Sequence, residues 1–343
     1  MEYRALGASG LVVSRLAFGV MTFGKGSDSP LSIIATVEQA QANSLVAQAF
    51  DAGINYFNTA DVYAGGASEE MLGAALGKRR GDAVIGTKVG LRMDRSLMNA
   101  GLSRRHVIAS CEASLRRLGT DWIDLYLAHV DDALTPQDEV VEAFEQLVRD
   151  GKIRYSGFSN WAAWRAATVM ERQRARGYRP LVAAELYYSL LGRDVEAELL
   201  PFAAEHGIGV TVWSPLAAGL LTGRYRDGDD PSGRLSRYDA MGIDRARAEP
   251  VIDAVLRIAK DIGSTPARVA ISWLLSKQAV ASVLLGASTP EQFADTLGAS
   301  AQLLDAAHRA ELDARSALPM TYPHWANRDF ADHEREKAIG RMA

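Results

Sequence analysis

Three side chains that can move or orient protons, Tyr63, Lys88 and His129, lie at or just after the ends of short apolar runs. A tyrosine is normally too weak an acid to act near neutral pH, but a lysine ammonium held beside it stabilises the phenolate. An imidazole can orient a carbonyl oxygen or share the proton. Taken singly, they also fit a solvated strand end (Lys88), a hydrogen-bonded buried imidazole (His129) and a rim residue (Tyr63). Together they predict a proton donor for carbonyl chemistry.

Such chemistry also needs a hydride, which a side chain cannot supply, so the pattern implies a cofactor. Two further strand ends carry suitable residues. Ser159 and Asn160 form a polar pair that suits the carboxamide of a nicotinamide, and Trp213, followed by Ser214, offers an aromatic face to its ring. We therefore expect a nicotinamide between these two walls.

The elements that position these residues are short apolar runs alternating with longer stretches of helical periodicity, the pattern of a parallel sheet wrapped by helices. Eight runs are predicted as strands: 15–20, 55–60, 83–89, 122–130, 153–160, 181–188, 209–216 and 280–287. Several intervening helices close on glycine, as in 39–53, 137–151 and 194–207. Eight β/α units favour an α/β fold, the (β/α)8 TIM barrel, with its active site at the carboxyl ends of the strands. A doubly wound sheet is the main alternative, but 16-LAFGVMTFGKG-26 does not match its GxGxxG fingerprint.

Two segments stand outside the β/α rhythm. The first residues contain two short apolar stretches around a Gly-Ala-Ser-Gly turn, which predicts an N-terminal β-hairpin on the barrel floor. The segment 217–247, rich in Gly, Asp and Arg, is too long for a simple connection after strand seven and is either a functional loop or disordered. No linker divides the chain, so we expect one domain over residues 1–343.

Composition narrows the function classes. The 343 residues are 48% hydrophobic and 23% charged, with a formal net charge of −4 and a sequence pI near 5.9, so nothing indicates a nucleic-acid partner. The single Cys111 lies in the amphipathic stretch 103–119 and suits a packed thiol better than a nucleophile. No signal segment and no apolar run of about 20 residues is present, so we expect a cytoplasmic protein with no membrane association.

The motifs collectively resemble the aldo-keto reductase superfamily over nearly the whole chain. They are 57-FNTADVYAGGASEEMLG-73, IGTKVG, DLYLAHVDD, GFSN, WSPLAAGLLTGRY from Trp213 and 284-LLGASTPEQFADTLGA-299. The combination is similar to the branch that includes bacterial aldo-keto reductases and potassium-channel β-subunits. The resemblance implies a TIM barrel that binds NADPH in extended form, with Tyr63 as general acid, Lys88 as its cationic partner and His129 orienting a small carbonyl or alcohol substrate.

The resemblance also nominates residues around the cofactor. The segment after strand eight is expected to hold the adenosine end of NADPH, although Asp295 and Thr296 stand there in place of the family's usual Glu-Asn pair. Arg224 and Arg234 are placed near the phosphates, since a guanidinium suits a phosphate, although Arg234 can equally be a solubilising loop residue. The full expected set is Ser159, Asn160, Glu185, Trp213, Ser214, Leu216, Arg224, Arg234, Gly286, Ser288, Gln292, Asp295 and Thr296.

Two positions at the reaction centre depart from the family pattern. Asn58 stands where the family usually has an aspartate that pairs with the lysine, and Glu185 stands where it usually has a glutamine. Because that aspartate is missing, we expect the pKa of Lys88 to fall. We expect a carboxylate at Glu185 to favour NADP⁺ over NADPH, and the two changes together to bias the bound cofactor and substrate toward alcohol oxidation. Asp61 is expected to cap the turn or face the cofactor rim.

Three functions stay open at this point. The leading one is an NADPH-dependent reductase or dehydrogenase, and the second is a regulatory subunit that senses the NADP redox state. The third, a phosphate-binding isomerase, lacks a glutamate base at a strand end apart from Glu185. The tail 319–343 either brings Tyr322 and Trp325 to the pocket, forms a surface helix or makes an oligomer contact. The substrate and a possible homo-oligomeric state are not fixed by the sequence.

Overall fold

Eight parallel strands close into a barrel, which confirms the predicted (β/α)8 TIM fold. The computed structural model describes residues 1–25, 34–226, 233, 235, 241–302 and 304–340. The eight barrel strands follow the hairpin strands β1 (Tyr3–Ala5) and β2 (Val12–Ser14) and are numbered β3 to β10; they pair in chain order, and the last closes the barrel against the first. They span Leu16–Gly19, Tyr56–Asn58, Val84–Val89, Ile123–Ala128, Ile153–Ser159, Ala183–Tyr187, Gly209–Trp213 and Val280–Gly286. Every strand lies within a predicted run, because strands covered on both faces are nearly continuously apolar.

Helices cover the outside of the barrel. They are α1 (Gln39–Asp51), α2 (Ala67–Leu76), α3 (Arg104–Leu118), α4 (Gln137–Arg149), α5 (Ala163–Ala175), α6 (Leu199–Glu205), α7 (Arg245–Asp261), α8 (Pro266–Leu275), α9 (Pro290–Leu297), α10 (Ala306–Arg315), α11 (His324–Asp329) and α12 (His333–Ala338). Helix α3 is typical: Ser103 accepts a hydrogen bond from the amide of His106 at its start, and Gly119 ends it at a left-handed φ of 62°. Burial raises the pKa of the Cys111 thiol in this helix to about 12, consistent with the predicted packing role.

An antiparallel hairpin closes one end of the barrel, as predicted. Strands β1 (Tyr3–Ala5) and β2 (Val12–Ser14) pair with each other, and the amide of Ala8 donates to the carbonyl of Gly207 at 2.6 Å. Leu6 and Val13 are fully buried in the same apolar cluster as barrel residues such as Tyr56 and Leu125. The amino-terminal end of the barrel is therefore filled, and the carboxyl end is left for chemistry.

The long segment after β9 begins with a 3₁₀ helix, Ala217–Thr222, and leads to α7, whose first amides are capped by Asp244. Of residues 217–247, those at 227–232, 234 and 236–240 lie outside the described part of the chain, and this includes Arg234. No helix within the described residues is both long and apolar enough to cross a bilayer.

Candidate active site

A cavity of about 220 Å³ opens at the carboxyl ends of the strands. It brings together many of the residues that the sequence nominated from six different strand ends. Its lining includes Asn58, Tyr63, His129, Ser159, Asn160, Glu185, Trp213, Ser214 and Gly286. Lys88 lies fully buried behind the lining. The predicted catalytic and nicotinamide residues therefore share one site.

Tyr63 is held over this cavity by the chain that leaves β4. The amide of Thr59 donates to the carbonyl of Gly86 at 2.9 Å and the amide of Asp61 to that of Lys88 at 3.2 Å, so this turn is fastened to β5. Tyr63 then starts a short 3₁₀ helix, Tyr63–Gly66. Its hydroxyl oxygen lies 3.4 Å from the Nζ of Lys88. The phenol and the ammonium are thus adjacent, as the proton-donor hypothesis requires.

Lys88 has more partners than the sequence led us to expect. Its Nζ donates to Oδ1 of Asn58 at 2.7 Å and to the carbonyl of Thr59 at 2.8 Å, and it lies 3.1 Å from Oε1 of Glu185. The Nδ2 of Asn58 donates to Oε2 of Glu185 at 2.7 Å. The carboxylate on β8 therefore reaches across the barrel to the lysine on β5, and Asn58 bridges the two.

The expected fall in the pKa of Lys88 is therefore wrong. Complete burial of the ammonium by itself lowers the pKa, but the Glu185 carboxylate and the Tyr63 oxygen outweigh burial, and the pKa of Lys88 is raised above its ordinary value. Asn58 does remove one carboxylate from the surroundings of Lys88, but Glu185, which was assigned to the cofactor alone, supplies another. The expected bias toward alcohol oxidation depended on that assignment and no longer follows.

His129 presents a neutral imidazole. Its ring lies edge-on to that of Tyr63, with centroids 5.7 Å apart, and it lines the cavity. Burial and then the nearby Lys88 ammonium hold the pKa of His129 well below its ordinary value. Its Nδ1 is buried without a hydrogen-bond partner among the described residues. An uncharged ring at this place can orient an oxygen atom by a hydrogen bond, but it does not supply a positive charge.

The opposite wall is a connected set of hydrogen bonds. Asn160, at a left-handed φ of 57°, donates from Nδ2 to the carbonyl of His129 at 3.0 Å and to Oγ of Ser159 at 2.9 Å. Its Oδ1 accepts from Nε1 of Trp213 at 3.2 Å. The Oγ of Ser159 donates to the backbone carbonyl of Glu185 at 2.8 Å. The predicted amide-binding pair and the predicted stacking residue are therefore joined in one hydrogen-bonded set.

The nominated adenosine-end residues divide into two groups. Gln292 is exposed and Ser288 is half-buried; the amide of Ser288 donates to Oε1 of Gln292 at 3.1 Å, and the Ser288 hydroxyl lies 3.1 Å from that of Thr36. Asp295 lies 3.0 Å from Nε of Arg268, and the Thr296 hydroxyl donates to carbonyls of its own helix. Polar atoms of both groups are therefore engaged within the protein, and of the four residues only Gln292 is exposed.

Two other nominated residues lie after β9 and outside the cavity lining. Leu216 is half-buried against the apolar core, and Arg224 is exposed. Their assignment to the cofactor stays a prediction.

Asp61 does not line the cavity, so the expectation that it faces the cofactor rim was wrong. The backbone amide of Val62, in the same turn, acts on its carboxylate but offsets burial only in part. Asp61 is fully buried, and neither carboxylate oxygen has a hydrogen-bond partner among the described residues. Burial, followed by the Glu69 carboxylate, raises the pKa of Asp61 well above its ordinary value, against the opposing effect of Arg117. Asp61 belongs to a polar cluster behind the barrel wall.

Sequence reasoning missed the apolar part of the cavity. Met21, Leu91 and Met241, from the segments after β3, β5 and β9, line it together with the polar residues. A methionine or leucine in a loop carries no recognisable signal, so only the fold locates it. Tyr322 and Trp325 are not in the lining, and the described part of the tail forms exposed helices at the surface. The expected oligomer contact of the tail stays a prediction.

Comparison with known proteins bears on this site. The model of the Aldo/keto reductase family matches residues 15–317. The chain belongs to the aldo/keto reductase family. It is 39% identical over 312 residues to a putative voltage-gated potassium channel subunit beta of Schizosaccharomyces pombe, covering 87% of this chain and 88% of that protein. It is 37% identical over 316 residues to an uncharacterized oxidoreductase of Bacillus subtilis, covering 89% of this chain and 93% of that protein. These matches confirm the predicted resemblance to the family and to the branch that includes bacterial enzymes and potassium-channel β-subunits.

Proposed function

We propose that this aldo/keto reductase is an NADPH-dependent oxidoreductase that interconverts an aldehyde or ketone with the corresponding alcohol. The observation that carries the proposal is the position of the Tyr63 hydroxyl, 3.4 Å from the buried Lys88 ammonium and inside a cavity that His129 also lines. A phenol beside a cation has a stabilised conjugate base, which is what a general acid for a carbonyl oxygen needs.

Tyr63, Lys88 and His129 have separate roles in this reaction. As hydride adds to the carbonyl carbon, the C=O π-electron pair moves to oxygen, and Tyr63 gives that oxygen its proton. Lys88 stabilises the resulting phenolate, which water reprotonates after the product leaves. Neutral His129 donates a single hydrogen bond to the carbonyl oxygen and so fixes the direction of the carbonyl. The mainly apolar remainder of the cavity excludes water from this exchange.

The chain offers a fitting place for the cofactor. NADPH, when bound, would supply the hydride. Trp213 contacts Tyr187 on one side, with ring centroids 5.0 Å apart, and lines the cavity, so its indole can support a nicotinamide. Ser159, Asn160 and Ser214 are the polar groups beside it. Half-buried Ser288 and exposed Gln292 follow β10, and Arg224 is the cation that we assign to the phosphates.

Two measurements test this function. Titration of the protein with each reduced cofactor is expected to show one NADPH per chain, bound more tightly than NADH because a cation meets the additional phosphate. Loss of NADPH absorbance across a panel of aldehydes, keto-sugars and ketones is expected to identify substrates. Equal affinity for NADPH and NADH would contradict the cofactor assignment.

A second candidate function is an NADP(H)-binding subunit that senses redox state with little turnover. It is favoured by relatives named as potassium channel β-subunits, one of them 37% identical and from Arabidopsis thaliana. A single-turnover assay with excess protein separates the two: a reductase oxidises bound NADPH rapidly when carbonyl is added, whereas a sensor holds it through the same interval.

A further inference from the structure

The environment of Lys88 is complete without the phenol of Tyr63. An ammonium has three N–H donors. Three acceptors surround Nζ at 2.7 Å (Asn58 Oδ1), 2.8 Å (Thr59 carbonyl) and 3.1 Å (Glu185 Oε1), while the Tyr63 oxygen is more distant at 3.4 Å. Because Lys88 cannot accept a hydrogen bond, the phenol proton is free to point at the cavity. The ammonium acts on Tyr63 by its charge.

That charge depends on one carboxylate. The side chain of Lys88 is fully buried and that of Glu185 is 3% exposed, so water does little to stabilise either. A buried ammonium without a counterion releases its proton readily. Asn58 is neutral, and Asp61 and Glu69 lie outside the cavity lining behind the barrel wall. Among the described groups, Glu185 alone combines a negative charge with direct contact to Lys88.

Positions 58 and 185 form an interchangeable pair. Asn58 Nδ2 and Glu185 Oε2 are 2.7 Å apart, and each side chain also reaches Nζ of Lys88. One position carries an amide and the other a carboxylate. Exchanging the two groups would keep one hydrogen bond between them, two acceptors on the lysine and the same net charge.

We propose that Glu185 is the positioning residue that keeps Lys88 charged beside Tyr63. Asn58 holds the Glu185 carboxylate in place through its hydrogen bond. This adds a role to Glu185 that the cofactor assignment does not contain. Its catalytic consequence rests on the proposed function. Its electrostatic consequence does not, because the Lys88–Tyr63 pair titrates whether or not the protein turns over a carbonyl.

The test is an exchange cycle with three variants: Glu185→Gln, Asn58→Asp and the double exchange. Removing the carboxylate leaves the pair with an unbalanced positive charge, so its first proton should leave at a pH lower by about 1 to 3 units, whichever group loses it. Asn58→Asp adds a second carboxylate and should move that step to higher pH. The double exchange should return it close to the wild-type pH.

The readout is an NMR pH titration of protein carrying ¹³C-labelled lysine and tyrosine side chains, with signals assigned by Lys88→Met and Tyr63→Phe. Glu196→Gln is the control, because Glu196 pairs with Arg193 and lies outside the cavity lining. It should leave the titration unmoved. In parallel, the alkaline limb of the pH profile for carbonyl reduction should shift down in Glu185→Gln and recover in the double exchange.

The proposal is supported if the titration pH is lowest in Glu185→Gln, intermediate and similar in wild type and the double exchange, and highest in Asn58→Asp. An unmoved titration in Glu185→Gln, or a folded double exchange that stays at the Glu185→Gln value, overturns it. If the double exchange does not fold, the opposite shifts of the two single variants decide the question. A correct order in a protein that reduces no carbonyl keeps the role of Glu185 and removes only the proposed function.

Discussion

Two buried ion networks lie on the two faces of strand β5, starting from consecutive residues. Lys88 points into the barrel and meets Glu185 and Asn58. Thr87, one residue earlier, donates to Oε1 of Glu69 at 2.6 Å, and Oε2 of Glu69 accepts from Nε of Arg117 at 2.7 Å. Successive side chains of a strand face opposite sides, so adjacent residues enter different environments.

Each network contains a fully buried charged residue, but only the inner one reaches the cavity where a substrate would bind. Glu69 is as buried as Lys88, but neither Glu69 nor Arg117 lines the cavity, whereas Asn58 and Glu185 do. The outer network is built to be sealed: Gly66 has a φ of 101°, and a Cβ there would lie 2.6 Å from Cδ of Arg117. A buried charged residue on a strand therefore indicates a catalytic role only where its partners also line the cavity.

The largest expected effect is on stability, from breaking the outer network. Arg117→Met leaves the Glu69 carboxylate buried and unpaired, which should lower the free energy of unfolding by about 3–5 kcal/mol. Arg116→Met is the matched control, because Arg116 is exposed on the same helix and its loss should change little. Chemical denaturation compares the three proteins. Equal stability of the two variants would show that the outer network is not structural.

The inner network should respond in turnover. Tyr63→Phe removes the proton donor and should lower carbonyl reduction by roughly 10²-fold or more while NADPH affinity stays nearly constant. Steady-state kinetics and a cofactor titration measure the two quantities separately. Retained turnover in the Phe variant would place the acid at another residue.

A smaller loss is expected for His129→Ala. Because the pKa of His129 is held well below its ordinary value of 6.5, the ring is neutral near neutral pH and contributes one hydrogen bond to the substrate. Its removal should lower kcat/KM by roughly tenfold, and the wild-type rate should show no histidine titration near neutral pH. A thermal melt serves as control, since a collapse of stability with normal kinetics would assign His129 to the core.

The smallest effect concerns Asp61 in the outer cluster. Its pKa is raised in the fold above the ordinary 3.8, so wild-type stability falls as pH rises from there toward the folded-state pKa. Asp61→Asn is of similar shape and does not titrate. It should gain at least about 1 kcal/mol over wild type near neutral pH, the equivalent of a one-unit pKa difference. Denaturation at mildly acidic and neutral pH measures this gain, and a constant difference between the two proteins would contradict the pKa assignment.

The barrel was predictable because its information is local. Each strand is an apolar run bounded by polar residues, and each turn residue acts within a few positions. The exception is instructive: the predicted helix over 194–207 is a 3₁₀ turn, Asp194–Glu196, followed by α6. Pro201 lacks the amide that would bond back to the preceding turn, so a continuous helix does not form.

The reaction centre was predictable only in its composition. Motifs named Tyr63, Lys88 and His129, but the contact of Lys88 with Glu185 joins β5 to β8, three strands around the barrel. That contact depends on the barrel diameter and on side-chain reach, which no local pattern contains. The apolar lining has the same limitation, because Met21, Leu91 and Met241 come from three separate loops.

Carbonyl reduction with the proton supplied by Tyr63 is the reaction that we propose for this site. Its most direct test is a single turnover of excess protein with NADPH deuterated at the transferable position and an aldehyde substrate, followed by mass spectrometry of the alcohol. We expect deuterium on the alcohol carbon within one turnover of wild type, and alcohol formation roughly 10²-fold slower in Tyr63→Phe. Tight NADPH binding with no deuterium transferred to any aldehyde or ketone of the panel would contradict it.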